Sequence, residues 1–194
     1  MRELAISIKM TIVLTLVAGL AYPLAMVGLA RVLFPFQSAG SPIRRDGQVV
    51  GSALIGQNFT SPRYFHGRPS SAGDKGYDAT ASGGSNLAPT NRSLIDTVRK
   101  RLKETAQSEA VSSPAQVPVD LVTASASGLD PDISPAAAEL QVARVAKLRH
   151  LSEDRVRELV SRNLSSRFLG IFGEPRVNVL MLNLALDETD GRHR

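Results

Sequence analysis

Two aspartates flank a proline at Asp130-Pro131-Asp132, and a pair of carboxylates this close raises the idea of a general acid beside a general base. An Asp-Pro-Asp run inside a Gly/Ser-rich loop also makes a turn that leads into a helix, with no chemistry attached, and that plainer expectation is preferred. A second candidate is Ser82-Gly83-Gly84-Ser85-Asn86, whose backbone N–H groups could receive an anion such as the phosphate of a nucleotide. No strand pattern precedes it and no helix follows directly, so a flexible turn is the simpler expectation. The histidines His66, His150 and His193 are widely spaced, there is no cysteine, and no H-E-x-x-H occurs, so no metal site is expected. G-x-S-x-G, G-x-x-x-x-G-K-[ST] and G-x-G-x-x-G are all absent from the sequence. No catalytic residue and no directly bound cofactor is therefore assigned.

The elements that would position such groups begin with an apolar segment. Met10 to Ala30 carries no charge, and at ~1.5 Å per residue a helix of this length spans roughly 31 Å, the thickness of a bilayer core. A secretory signal peptide is the competing reading, because Arg2 and Lys9 supply a basic start and Gly28-Leu29-Ala30 a small-x-small site. An h-region usually has ~7–15 residues, so a retained single-pass anchor fits this segment better. Basic residues stand on both sides of it, and their count does not choose an orientation. The expected arrangement is a tail over 1–9 inside, an anchor and exit over 10–36, and a body over 37–194 outside. Gly19, Ala21, Ala25 and Gly28 are small residues that would let neighbouring helices approach, which makes Gly19 and Gly28 partner-contact candidates.

The 158 residues after Phe36 are enough for one domain with its own core, and carry 20 basic against 17 acidic side chains. That mild imbalance, without a stripe of interleaved basic and aromatic residues, argues against nucleic acid as a partner. A strand is expected over Gln48 to Ile55, and an amphipathic helix from an Asn91 cap to about Gln107, with Leu94, Ile95, Val98 and Leu102 on one face. Between them, Asn58 to Asn91 is rich in Gly, Ser, Pro and aromatic residues and shows no period. So long an irregular stretch suggests a task, and Phe59, Tyr64, Phe65 and Tyr77 are its candidates for touching a partner. Ala110 to Gln116 reads as a surface linker, Val117 to Thr123 as an edge strand or strand lead-in, and Ser125 to Ser134 as a loop. Ser134-Pro135 and Ser152 cap helices over Pro135 to Arg149 and Glu153 to Ser165, while Arg176 to Leu186 reads as a buried strand. The sum is an α+β domain behind one transmembrane helix.

Six blocks occur in order along the chain: Gly51-Ser52-x-Leu54-Ile55-Gly56-Gln57; Tyr64-Phe65 with Arg68-Pro69-Ser70; Ser82 to Asn91; Val117-Pro118-Val119-Asp120; Ser127 to Ala138; and Gly173 to Asn178. With the N-terminal span, they resemble the C subunits of the bacterial Kdp potassium-transporting ATPase, over nearly the whole chain. The resemblance implies a non-catalytic subunit of an inner-membrane complex. In that family a channel-like subunit conducts potassium, a P-type ATPase subunit hydrolyses ATP and a small subunit stabilises the assembly. The C subunit is described there as a catalytic chaperone that raises the ATPase subunit's affinity for ATP, so ATP and K⁺ would be handled by the partners. Asp132 departs from the histidine that commonly follows Asp-Pro in the family, which puts any role of that position in doubt. The alternatives are a membrane-anchored extracytoplasmic enzyme, which would need clustered catalytic groups, and a free-standing binding module, which would need no partner chain.

Overall fold

Pro23 lies inside an otherwise continuous apolar helix, and its missing N–H leaves the carbonyl four residues earlier without its usual partner. The computed structural model, which describes residues 1–191, shows how the backbone adjusts. Helix α1 (Arg2–Leu16) passes through a π-helical turn at Val17–Ala21 and resumes as α2 (Tyr22–Leu33). In that wider turn the Tyr22 N–H reaches back to the Val17 carbonyl. The result is one 32-residue helix, the one among the described residues that is long and apolar enough to cross a membrane. Its apolar side chains, Leu14, Leu20 and Leu24 among them, are exposed, as a lipid-facing helix requires.

This helix belongs to the first of two units, Met1–Val50; the second runs from Gly51 onward. After the single turn of α3 (Pro35–Ser38), β1 (Pro42–Arg45) and β2 (Gln48–Ser52) form a hairpin. Asp46 and Gly47, with φ of 51° and 79°, make its two-residue connection, a geometry in which both central residues need positive φ. The strand expected over Gln48 to Ile55 thus ends at Ser52 and has a partner that the Asp-Gly dipeptide announced.

The second unit mixes helices α4 (Arg92–Ser108), α5 (Pro135–Arg149), α6 (Glu153–Arg162) and α7 (Val179–Gly191) with a small antiparallel sheet. That sheet has the order β3 (Asp132–Ile133), β5 (Arg176–Asn178), β4 (Leu164–Ser165). Val177 lies opposite both Ile133 and Leu164. Its side chain and that of Ile133 join Val142, Val145, Val156, Leu182, Leu186 and Phe65 in the core. The architecture is an apolar N-terminal helix followed by an α+β domain.

The caps explain where the helices begin. Asn91 accepts the Ser93 N–H at 2.9 Å, Ser134 accepts that of Ala137 at 3.0 Å, and Ser152 accepts that of Arg155 at 3.2 Å. His150, left-handed at φ 57°, ends α5. Helix α6 stops at Arg162, short of the expected Ser165, because Leu164 and Ser165 pair with β5.

Two expectations fail. Val117 to Thr123 forms a 3-10 turn at Val119–Leu121, not a strand, and the Asp120 carboxylate accepts both the N–H and the hydroxyl of Ser134, at 2.7 and 3.1 Å. Arg176 to Leu186 is strand for three residues only and then becomes α7. The spacing Val179, Leu182/Asn183, Leu186 is helical, and all four are buried. In a strand Met181 and Asn183 would share a face; here Met181 is 38% exposed and Asn183 1%. Asn183→Leu should therefore destabilise the full-length chain in detergent by about 2–5 kcal/mol, because it strands two buried backbone groups of Phe65. Met181→Gln should shift the denaturant midpoint little, and equal losses from the two variants would contradict the helix.

Candidate functional site

Residues 62–66 have no regular secondary structure, so their backbone groups need partners from elsewhere in the chain. All five carbonyls find one in a side chain of α5 or α7. Arg144 donates to Pro62 and, at 3.0 Å, to Tyr64; Arg149 Nε donates to Arg63 at 2.7 Å. Asn183 binds both sides of Phe65, accepting its N–H and donating to its carbonyl, each at 2.9 Å. Gln141 does the same for His66, at 2.8 Å and 3.2 Å. Two primary amides thus serve consecutive residues as neighbouring strands would.

The held segment reaches a cleft of about 410 Å³ at His66; the lining also includes Arg68, Lys75 and Tyr77 from the loop, Glu109 after α4 and Gln141 from α5. The Glu109 carboxylate sits 2.9 Å from Arg144, with both side chains nearly buried; burial raises its pKa and the guanidinium pulls it back. Burial pushes the Tyr77 phenol up to about 12, and Asp130 adds to the effect. Its hydroxyl donates to the Arg68 carbonyl. Arg68 itself lies 3.0 Å from Asp130, while its Nε is buried with no hydrogen-bond partner among the described residues. The lining offers positive charge and hydrogen bonds, and pairs no nucleophile with a base. Among the described residues no three His, Cys, Asp or Glu side chains converge as a metal would require.

The candidate residues fall into separate places. Phe65 is wholly buried in the core and has no surface to offer a partner. Tyr64 donates to Asp187 at 3.0 Å, carries the Arg149 guanidinium 4.6 Å from its ring centroid, and tilts against Phe59 at 5.5 Å. Tyr77 packs where a Cβ on Gly56 or Gly67 would come within 2.8 Å or 2.7 Å of it. Phe65 is thus core, while Phe59, Tyr64 and Tyr77 pack against the domain and stay partly exposed.

Ser82 and the Gly83 N–H both donate to the Ser127 carbonyl, at 3.0 and 2.9 Å, so Ser82 to Asn86 lies on the 125–128 turn, with Ser85 and Asn86 exposed and α4 starting only at Arg92. Asp130 accepts the Asp132 N–H at 3.1 Å, closing the Asp-Pro-Asp turn, and Asp132 pairs with Arg176 at 3.0 Å. Gly19 and Gly28 have room for a Cβ within their own helix. His150 is an exposed helix end, and His193 lies outside the described residues. The sequence singles out none of Gln141, Arg144 and Arg149 and presents Asn183 only as an interruption of an apolar strand; their one signal is a polar side chain recurring on otherwise apolar helix faces.

His66 Nε2 donates to the Ser61 carbonyl at 3.1 Å, and burial, then the Arg144 charge, lower its pKa below the ordinary 6.5. The unfolded chain then takes up this proton at a higher pH than the folded one, so His66 contributes stability above pH 6.5 that is lost as pH falls through and below it. Glu109 and Asp132, both raised, act with the opposite sign at lower pH. The melting temperature of the full-length chain in detergent should fall less between pH 7.5 and 5.5 for His66→Gln than for the wild type.

Known proteins resemble this chain over nearly its whole length. A family model described as KdpC: K+-transporting ATPase, c chain, matches residues 4–188. The potassium-transporting ATPase KdpC subunit of Bradyrhizobium diazoefficiens is 55% identical over 199 residues, covering 96% of this chain and 97% of its own length. That of Rhodopseudomonas palustris strain BisB18 is 56% identical over 198 residues, covering 96% and 98%. That of Caldanaerobacter subterraneus subsp. tengcongensis is 50% identical over 192 residues, covering 99% and 98%. The match includes the apolar helix, the clamped loop and α7 alike, and the chain belongs to the KdpC family, the c chain of K⁺-transporting ATPases.

Proposed function

We propose that this chain is the accessory, non-catalytic subunit of a high-affinity, ATP-driven potassium uptake complex. In this reading one transmembrane helix holds it in the inner membrane, with residues 1–9 inside and the body outside. It supports the assembly and activity of a channel-like subunit, a P-type ATPase subunit and a small stabilising subunit. The observation that carries this reading is the continuous family match over 4–188, anchor and body together. The exposed apolar helix adds support, since a subunit that works beside membrane partners needs such an anchor. The catalytic-chaperone effect on ATP affinity is proposed to be indirect. With ATP on the side of residues 1–9, which contain no phosphate-binding pattern, influence would pass through the assembly as a coupling free energy between distant sites.

Deleting the chain from a host that depends on this uptake system should abolish growth at very low external potassium and leave growth in potassium-rich medium intact. Unchanged growth at low potassium would overturn the reading.

The anchor is further proposed to dock by packing as well as to anchor. A Cβ at Gly28 meets nothing within 4 Å and one at Gly19 meets Thr15 only at 4.0 Å, so larger residues act on neighbours rather than on this helix. Gly19→Leu with Gly28→Leu should preserve membrane insertion and reduce recovery of the complex in mild detergent. Full recovery would mean that these glycines face lipid.

A further inference from the structure

Four large apolar side chains crowd the tip of the hairpin between β4 and β5. Phe168, Leu169, Ile171 and Phe172 are 69%, 74%, 73% and 62% exposed. Elsewhere in the second unit, among the described residues, only Leu54 and Val119 reach 60%. Scattered apolar residues on a surface are ordinary, but four within five positions are not.

The backbone is built to hold them there. Phe168 and Phe172 exchange both hydrogen bonds, at 2.8 and 2.9 Å, and Ile171 N–H closes the turn onto the Phe168 carbonyl at 3.2 Å. Leu169 takes φ 52° and Gly170 φ 74°. Left-handed backbone is strained for leucine, and with its side chain in solvent the domain's own packing returns nothing for that strain.

Charge then distinguishes the occupant. An apolar wedge for an anionic lipid surface carries free cations beside it. Every cation in residues 161–178 is engaged: Arg162 with Glu158, Arg167 with Glu174 at 2.6 Å, and Arg176 with Asp132 at 3.0 Å. The tip is left uncharged, complementary to an uncharged apolar surface. A second copy of the chain fits poorly, because such a tip buries on the order of 500 Å² per partner, below the ~800 Å² that a stable dimer needs. For subunits already held together in one membrane, a small contact suffices.

We infer that the 168–172 tip is a plug that seats in an apolar socket on the extramembrane face of another subunit of the potassium-transporting ATPase. This rests on the subunit reading above and names the surface through which it acts.

The test uses the tagged full-length chain expressed with its partner subunits. Leu169→Asn with Ile171→Thr removes apolar area, and asparagine accepts left-handed backbone, so the hairpin keeps its shape. Unchanged melting with at least a tenfold loss of the other ATPase subunits from the purified complex, identified by mass spectrometry, is expected. Leu169→Met should recover them normally. Recovery of the double variant at wild-type yield overturns the plug. A photo-crosslinking benzoylphenylalanine at position 171, activated in native membranes, should join the chain to an ATPase subunit; crosslinks only to lipid or to a second copy overturn it. A wild-type chain that recovers no ATPase subunit refutes the underlying subunit reading, a result distinct from loss in the variant alone.

Discussion

Five consecutive carbonyls, from Pro62 to His66, are satisfied by side chains rather than by a strand or helix. A backbone stretch that enters the interior without a ladder costs about 1–3 kcal/mol for each buried group left unpaired. Gln141 and Asn183 meet this cost with amides, which donate and accept at once and so imitate a neighbouring strand. The clamp draws α5 and α7 onto the same few residues and sends the Phe65 ring into the core they share. The Tyr64 stack lies on the segment this clamp holds, His66 lines the cleft, and Arg68, two residues on, reaches Asp130.

Two arginines make the clamp possible. Arg144 and Arg149 are almost fully buried along α5, where an unpaired charge would be severely destabilising. Each is surrounded by acceptors. Arg144 meets both oxygens of Glu109, the Gln141 side chain and two carbonyls; Arg149 meets Asp187, the Arg63 carbonyl and the face of Tyr64. The acceptors around Arg144 outnumber the three N–H donors of a lysine ammonium, and Arg149 sets a planar guanidinium over the Tyr64 ring, so lysine would be a poor replacement for either.

The two units answer to different solvents. Residues 2–33 satisfy their backbone internally, absorb Pro23 with one π turn and leave their side chains outward, which suits a bilayer. The second unit has strands of two or three residues, too little sheet to organise a domain. Helix faces and side-chain clamps organise it instead. Against this economy the exposed Phe168–Phe172 turn stands out, because it orders apolar residues away from the core.

What could be read directly from the chain was whatever adjacent residues encode. The apolar run over Met10–Ala30, the Ser134-Pro135 start of α5 and its end at Arg149, and the Asn91 cap are local signals, and each matches the structure. The six ordered blocks carried the family for the same reason. The β1–β2 hairpin too has a local signal, the Asp46-Gly47 dipeptide. Tertiary structure alone decided the rest. Asn183 looked like a break in a strand because its partner, Phe65, stands 118 positions away, and Gln141 is 75 from His66. With that partner out of view, a polar residue in an apolar run weakens either period, and Arg176 to Leu186 reads as strand although it is helical from Val179. Aromatic residues in a loop likewise do not reveal which way they face; burial turned Phe65 into core, while at Phe168 and Phe172 exposure left the rings in solvent. Local propensity and capping belong to the sequence, and the pairing of distant side chains with an irregular backbone exists only once the chain has folded.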